Sequence, residues 1–178
     1  VYADPDVIAH FRFNNNLNDE TGQWSLAQVG IQAPSYITGF QGSALRNNAG
    51  GSYFDLPSDA WPTGDYTLEF FSSASSGSSA NALSVMRGGG LILRRDLTSG
   101  GFTEDTYSSG SARVYSCPSR WHHVAIQKQG TERSLFVDGL PAFVAAQDVG
   151  TMSGAVGLLK RLSGTVLDGS GGFLDEFR

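Results

Sequence analysis

Apolar residues recur at every second position through most of the chain. Val7, Ala9, Phe11 and Phe13 alternate with Ile8, His10 and Arg12, the period of a half-buried strand. Tyr66, Leu68 and Phe70 alternate with Thr67, Glu69 and Phe71, and the aromatic content of this segment predicts a central strand. Further strands are expected at Ser43–Arg46, Ser52–Leu56, Gly90–Arg95, Ala112–Cys117, Ala155–Lys160 and Gly172–Arg178. Trp121–Gln129, Ser134–Val137 and Leu140–Ala146 form a predicted meander. Its second turn is Asp138-Gly139, and a two-residue hairpin turn of this kind needs positive φ at both central positions. No segment has helical period. Asn14–Gly22 reads as a turn cluster. The Ser-rich stretch Ser72–Asn81 reads as a hairpin loop rather than a linker, because neither half alone has enough apolar surface to bury a core. Roughly eleven to thirteen short strands at this spacing describe an all-β, two-sheet antiparallel β-sandwich. Phe13, Phe54, Phe70, Trp121, Phe136 and Phe173 are expected to fill the layer between the sheets.

Composition narrows the function. With 40% apolar and 16% charged residues the chain is globular, and its 178 residues suit one domain, expected to span 1–178. The net charge of −5 and the lack of any basic run longer than Arg94-Arg95 exclude a nucleic-acid partner. Cys117 is the only cysteine, so the fold stands on its core without an internal disulfide, in keeping with assembly in a reducing cytoplasm. No apolar run is long enough for a spanning helix, so membrane insertion is not expected. The acidic N-terminal VYADPDVIAHFRF shows no signal peptide, and the final FLDEFR reads as mid-strand, as in a piece of a longer protein.

The order of segments resembles the concanavalin A-like lectin/glucanase superfamily, specifically laminin G-like jelly-roll domains of bacterial and phage proteins. The similarity rests on five segments in order: FRFNNNLNDETG, FQGSALRNNAGGSYFDLP, YTLEFFSS, WHHVAIQKQGTERSLFVDGLPAFVA and FLDEFR. The resemblance implies a calcium ion where the opening loop meets the last strand, at the positions of Asn14, Asp19 and Asp175. Asn14 stands where an acid is common in the family, which lowers the charge of such a site. Asn14–Gly22 can equally be a turn satisfied by its own side chains.

Chemistry of other kinds finds little support. A glycosidase needs paired carboxylates on one face, and Asp175 and Glu176 are adjacent, hence on opposite faces of a strand. No G-x-S-x-G or HExxH occurs, so the domain is expected not to be an enzyme. His122 and His123 likewise point oppositely and cannot share an ion; one should pack and the other face outward. Trp61, Tyr107 and Tyr115, in or near expected loops, are candidates for stacking on a sugar ring, and Arg94 for bidentate contact with an acidic sugar. The expected function is lectin-like binding of cell-surface glycan or polysaccharide, with or without calcium. The domain would sit on a virion (tail, fibre or capsid decoration) or another extracellular surface assembly, in contact with its proteins. Two alternatives stand beside it: a purely structural decoration or subunit-locking protein, and an accessory module of a secreted hydrolase or adhesin.

Overall fold

In the computed structural model the described residues are 5–47, 52–73, 83–88, 91–96, 101–106, 113–116, 121–146, 156–163, 166–169 and 172–178. They form sixteen strands and one 3-10 turn, Ser58–Ala60. The strands are β1 (Ala27–Val29), β2 (Ser35–Thr38), β3 (Ser43–Asn47), β4 (Tyr53–Leu56), β5 (Tyr66–Ser73), β6 (Leu83–Gly88), β7 (Leu91–Asp96) and β8 (Gly101–Thr106). They continue with β9 (Arg113–Ser116), β10 (His122–Gln129), β11 (Glu132–Val137), β12 (Leu140–Ala146), β13 (Val156–Leu158), β14 (Lys160–Ser163), β15 (Val166–Gly169) and β16 (Gly172–Asp175).

One seven-stranded antiparallel sheet runs β1-β4-β13-β6-β7-β8-β9, and a second runs β12-β11-β10-β5-β16-β3-β2; β14 and β15 pair apart. The predicted two-sheet sandwich is therefore present, with β5 at the centre of the second sheet. Its core joins Phe54, Leu56 and Leu158 of the first sheet to Leu45, Leu68, Phe70, Val124, Ile126, Leu135 and Leu174 of the second. Each large apolar side chain sealed in this layer stabilises the fold by about 1.5–3 kcal/mol.

Several expectations change. Val7–Phe13 is not a strand: Phe11 makes a single antiparallel bridge to Phe177, with N–H···O distances of 2.7 and 3.0 Å. Phe13, at φ 55, then leaves extended geometry, although the alternation still buries Phe11 and Phe13. Strands β1, β2, β6, β8, β14 and β15 have no counterpart in the sequence reading, and β8 lies in what reads as a Gly/Ser/Thr loop. The proposed hairpin loop keeps Ser72 and Ser73 within β5, while 74–81 lie outside the described residues. Phe13, Phe54 and Phe70 are core, but Trp121, Phe136 and Phe173 are only half-buried. The pairing explains this. Phe173 lies opposite Ser73 and Phe136 opposite Ala125, on the face of the second sheet turned away from the core.

The meander is as expected. Asp138 and Gly139 have φ of 52 and 77°, and Asp138 is clamped to β10 through its amide on the His123 carbonyl at 2.8 Å. His122 is 1% exposed, with Nδ1 2.8 Å from Asp138 Oδ2, while the His123 side chain is 31% exposed on the opposite face.

Candidate functional site

At the end of the sandwich where β5 begins, the chain builds an open cleft. Pro57 starts the 3-10 turn, closed by Ala60 N–H to Pro57 O at 3.1 Å and Trp61 N–H to Ser58 O at 3.3 Å. Trp61 then returns to extended backbone at φ −92, ψ 127 and packs edge-on against Tyr66, with ring centroids 5.3 Å apart at 78°. The turn before β5 is tied to the β10–β11 hairpin: Gly130 N–H donates to Asp65 Oδ1 at 2.7 Å and Lys128 Nζ to the Gly64 carbonyl at 3.2 Å. On the other side the Phe11–Phe177 bridge lays residues 6–9 alongside the C-terminus. Glu69 and Arg178 exchange backbone hydrogen bonds at 2.7 and 2.8 Å.

These segments enclose about 420 Å³. Trp61, Tyr66, Ile8 and Pro62 give apolar wall, and Asp6, Asp65, Glu69 and Arg178 give charge. Trp61 is 9% exposed, and its indole Nε1–H has no acceptor among the described residues, a deficit of about 1–3 kcal/mol unless an oxygen reaches it. Arg178 donates to Glu69 Oε2 at 2.9 Å, and His123 Nε2 lies 3.3 Å from the same oxygen. Burial pushes the Glu69 carboxyl up, but the Arg178 guanidinium and His123 outweigh it and hold the group below the usual carboxylate value.

The three residues that the resemblance assigns to calcium have other occupations. Asp19, 5% exposed, gathers the opening loop: Oδ1 accepts from the amides of His10 at 2.6 Å and Thr21 at 3.1 Å. Its Oδ2 accepts from the Thr21 hydroxyl and from the amides of Gln23 at 3.2 Å and Trp24 at 3.3 Å. Burial raises its pKa, yet this set of donors prevails and the net shift is downward. Asp175 and Asn14 instead hold the β2–β3 turn. Asp175 Oδ2 accepts from Gln41 N–H at 2.8 Å and Oδ1 from Glu176 N–H at 2.9 Å, while Asn14 Oδ1 accepts from Ser43 N–H at 3.1 Å. Asp175 is fully buried, and burial shifts its carboxyl upward. Among the described residues no three His, Cys, Asp or Glu side chains converge as a metal would require. Each of these oxygens thus accepts from donors of its own junction and holds them in place.

Of the glycan candidates, Trp61 lines the cleft, as a wall rather than as an exposed platform. Arg94 falls on β7 and Tyr115 on β9, in the strands expected over Gly90–Arg95 and Ala112–Cys117. Tyr107 lies outside the described residues. Sequence reasoning missed Asp6, Asp65, Tyr66, Glu69 and Arg178. Their only signal was the alternation of β5, which marks Glu69 as turned away from the core without saying what stands beside it.

The comparisons with known proteins agree with this architecture. A laminin G model of the concanavalin A-like lectin/glucanases superfamily matches residues 48–178. A sequence search of curated proteins finds no match. Among solved structures, domain 4 of AbnA, a GH43 extracellular arabinanase from Geobacillus stearothermophilus in complex with arabinotriose, superposes with a TM-score of 0.73 at 19% identity, covering 96% of this chain and 90% of that one. The carbohydrate binding module CBM66 from Bacillus subtilis gives 0.52 at 15% identity, covering 86% and 91%. A Trypanosoma rangeli sialidase in complex with 2,3-difluorosialic acid gives 0.70 at 14% identity; this chain is covered to 97% but spans only 30% of the sialidase. At these identities the likeness is one of fold.

Proposed function

The chain belongs to the concanavalin A-like lectin/glucanases superfamily, and from that premise we propose that it is a non-catalytic carbohydrate-binding domain that takes a neutral glycan in the cleft beside Trp61. The observation that carries this reading is the cleft wall itself. An indole and a phenol ring lie beside charged side chains of both signs, which suits a ligand with apolar C–H faces and hydroxyls that both donate and accept. The two carbohydrate-binding structural neighbours support the ligand class. Among the described residues, Asp6, Asp65 and Glu69 stand against Arg178 and against Lys128, which lies 3.9 Å from Asp65, so the cleft offers no excess of positive charge to an acidic sugar.

Catalysis is disfavoured by the ionisation of the site. A glycosidase needs a carboxylic acid whose pKa is raised within reach of substrate. Glu69 is shifted the other way, and Asp175, which is raised, is fully buried under the β2–β3 turn. The occupied carboxylates of Asp19 and Asp175 support binding that does not depend on calcium.

For context we propose a surface assembly outside the cell, either a virion tail, fibre or capsid decoration, as the resemblance to phage-type domains implies, or an extracellular hydrolase. The second is favoured by the arabinanase domain, 90% of which is covered by this chain. The test is calorimetric titration of arabinan, xylan and glucan oligosaccharides, with calcium and with chelator, into wild type and Trp61→Phe. Binding in both conditions, weakened about tenfold by Trp61→Phe, is expected from the loss of about 1–1.5 kcal/mol of aromatic contact. Unchanged affinity in the folded variant, or no binding by wild type, overturns the reading.

A further inference from the structure

The face of the second sheet turned away from the core carries aromatic residues that the core does not use. Phe40, at the tip of the β2–β3 turn, is 56% exposed and lies flat on Phe71, with centroids 3.8 Å apart at 9°. Phe71 touches the His123 ring at 5.1 Å, and His123 meets Glu69 of the cleft wall at 3.3 Å. On the far side of Phe71, Trp121 and Phe173 pack at 6.3 Å.

The turn that presents Phe40 is held rigidly. Gly39 N–H donates to Gly42 O at 2.9 Å, Asp175 fixes Gln41 and Asn14 fixes Ser43. Gly39 has no room for a Cβ, which would stand 2.5 Å from Asp175 Oδ2, and Gly42 has φ +78. Two polar side chains and two glycines thus fix a ring whose outward face meets solvent. A phenyl group placed only to cover Phe71 does not require so constrained a turn.

We propose that this ring is a second glycan subsite continuous with the cleft, so that the ligand is a polysaccharide bound along internal units and not at a chain end. This rests on reading the cleft as a glycan site. The path runs from the cleft through Glu69 and His123 to Phe71 and Phe40, all beside β5, and Thr67 to Phe71, which share the outer face of that strand, span about 14 Å at ~3.4 Å per residue. That length accommodates several sugar units. The flat apolar face of Phe40 supplies stacking, and the Glu69, His123 and Arg178 side chains supply hydrogen-bond partners between the two aromatic stations.

The test uses arabinan, xylan and glucan oligosaccharides of three and six units with wild type, Phe40→Ala, Phe40→Tyr and Trp61→Phe, each checked for folding by thermal melting. Phe40→Ala is expected to weaken the six-unit ligand about tenfold and leave the three-unit ligand unchanged, whereas Phe40→Tyr retains both. Trp61→Phe should weaken both lengths. Equal affinity of wild type and Phe40→Ala for the six-unit ligand, with Trp61→Phe still impaired, overturns the subsite and leaves the cleft standing. No binding by wild type overturns the cleft as well. Self-association of wild type in sedimentation that Phe40→Ala abolishes, without a change in glycan affinity, assigns the ring to a protein contact and also overturns the proposal.

Discussion

Removing the Asp19 carboxylate separates a structural role from ion binding, and the hydrogen-bond set fixes the size of the effect. In Asp19→Ala the amides of His10, Thr21, Gln23 and Trp24 and the Thr21 hydroxyl lose their acceptor together. A hydrogen bond to a charged group contributes about 1.5–3 kcal/mol, but the donors are coupled through one loop and several can be rehydrated when it opens. A net loss of about 3–5 kcal/mol is therefore expected, a large part of the 5–15 kcal/mol typical of a domain. For a chain of this size that is roughly 6–20 °C in Tm. The assay is thermal and urea unfolding of wild type and variant, in chelator and in calcium. If Asp19 clasps the loop, the full loss is present in chelator and calcium adds nothing to either protein. A variant within about 3 °C of wild type in chelator, together with a calcium-induced rise in wild type that the variant lacks, refutes the argument and makes Asp19 an ion ligand.

Acid unfolding should carry two opposite signs. Asp19 and Glu69 are held below their ordinary values of 3.8 and 4.5, so the stability they contribute is present above those values and is lost as pH falls through the folded-state values. Asp175 is raised above 3.8; its contribution is full below that value and is lost as pH rises through its folded value, so Asp175→Asn should make the net acid-induced loss steeper in urea titrations across that range. Gly39→Ala sets a Cβ 2.5 Å from Asp175 Oδ2 and 2.9 Å from the Ala44 amide, and a loss of about 1–3 kcal/mol in urea unfolding is expected. Gly139→Ala, at φ +77, should cost about 1–2 kcal/mol by the same measurement without altering glycan affinity. Affinity for a neutral oligosaccharide should be unchanged between about 0.05 and 0.5 M salt, whereas a steep decline would point to an acidic ligand.

The sandwich was readable because its signal is local and periodic. In β5 and β10 the alternation of Leu68, Phe70, Val124 and Ile126 with Glu69, Phe71, His123 and Gln127 fixes both strand and face, and Asp138-Gly139 fixes a turn. Val7–Phe13 shows the limit. Its alternation correctly buries Phe11 and Phe13, but no local pattern reveals that only Phe11 finds a bridging partner, in Phe177 at the other end of the chain. Trp121, Phe136 and Phe173 failed for a related reason. Their aromatic character points inward because aromatics fill cores, whereas strand parity sets their face, and parity needs a register that comes only from the partner strands. The cleft was less readable still, since Asp6, Trp61, Glu69 and Arg178 come from four separate segments that no local pattern brings together.

The residues carried over from the family resemblance illustrate how position and role come apart. Asn14, Asp19 and Asp175 do lie where the opening loop meets the last strand, and their oxygens hold that junction together by accepting from backbone N–H donors. The same physical need is met either way. A loop crossing the end of a sandwich must neutralise the partial charges of its backbone, and a buried carboxylate ringed by amides does so in the absence of calcium. What the junction supports then becomes the informative question. On one side Asp175 and Asn14 fix the turn that carries Phe40; on the other, Glu176, the residue after Asp175, pairs with His10 at 2.7 Å and Arg12 at 3.2 Å and so fastens the N-terminal segment that leads into the cleft wall. The two surfaces assigned to glycan are thus braced by one polar junction, and loosening it by Asp175→Ala should weaken six-unit oligosaccharide binding even though Asp175 touches no ligand.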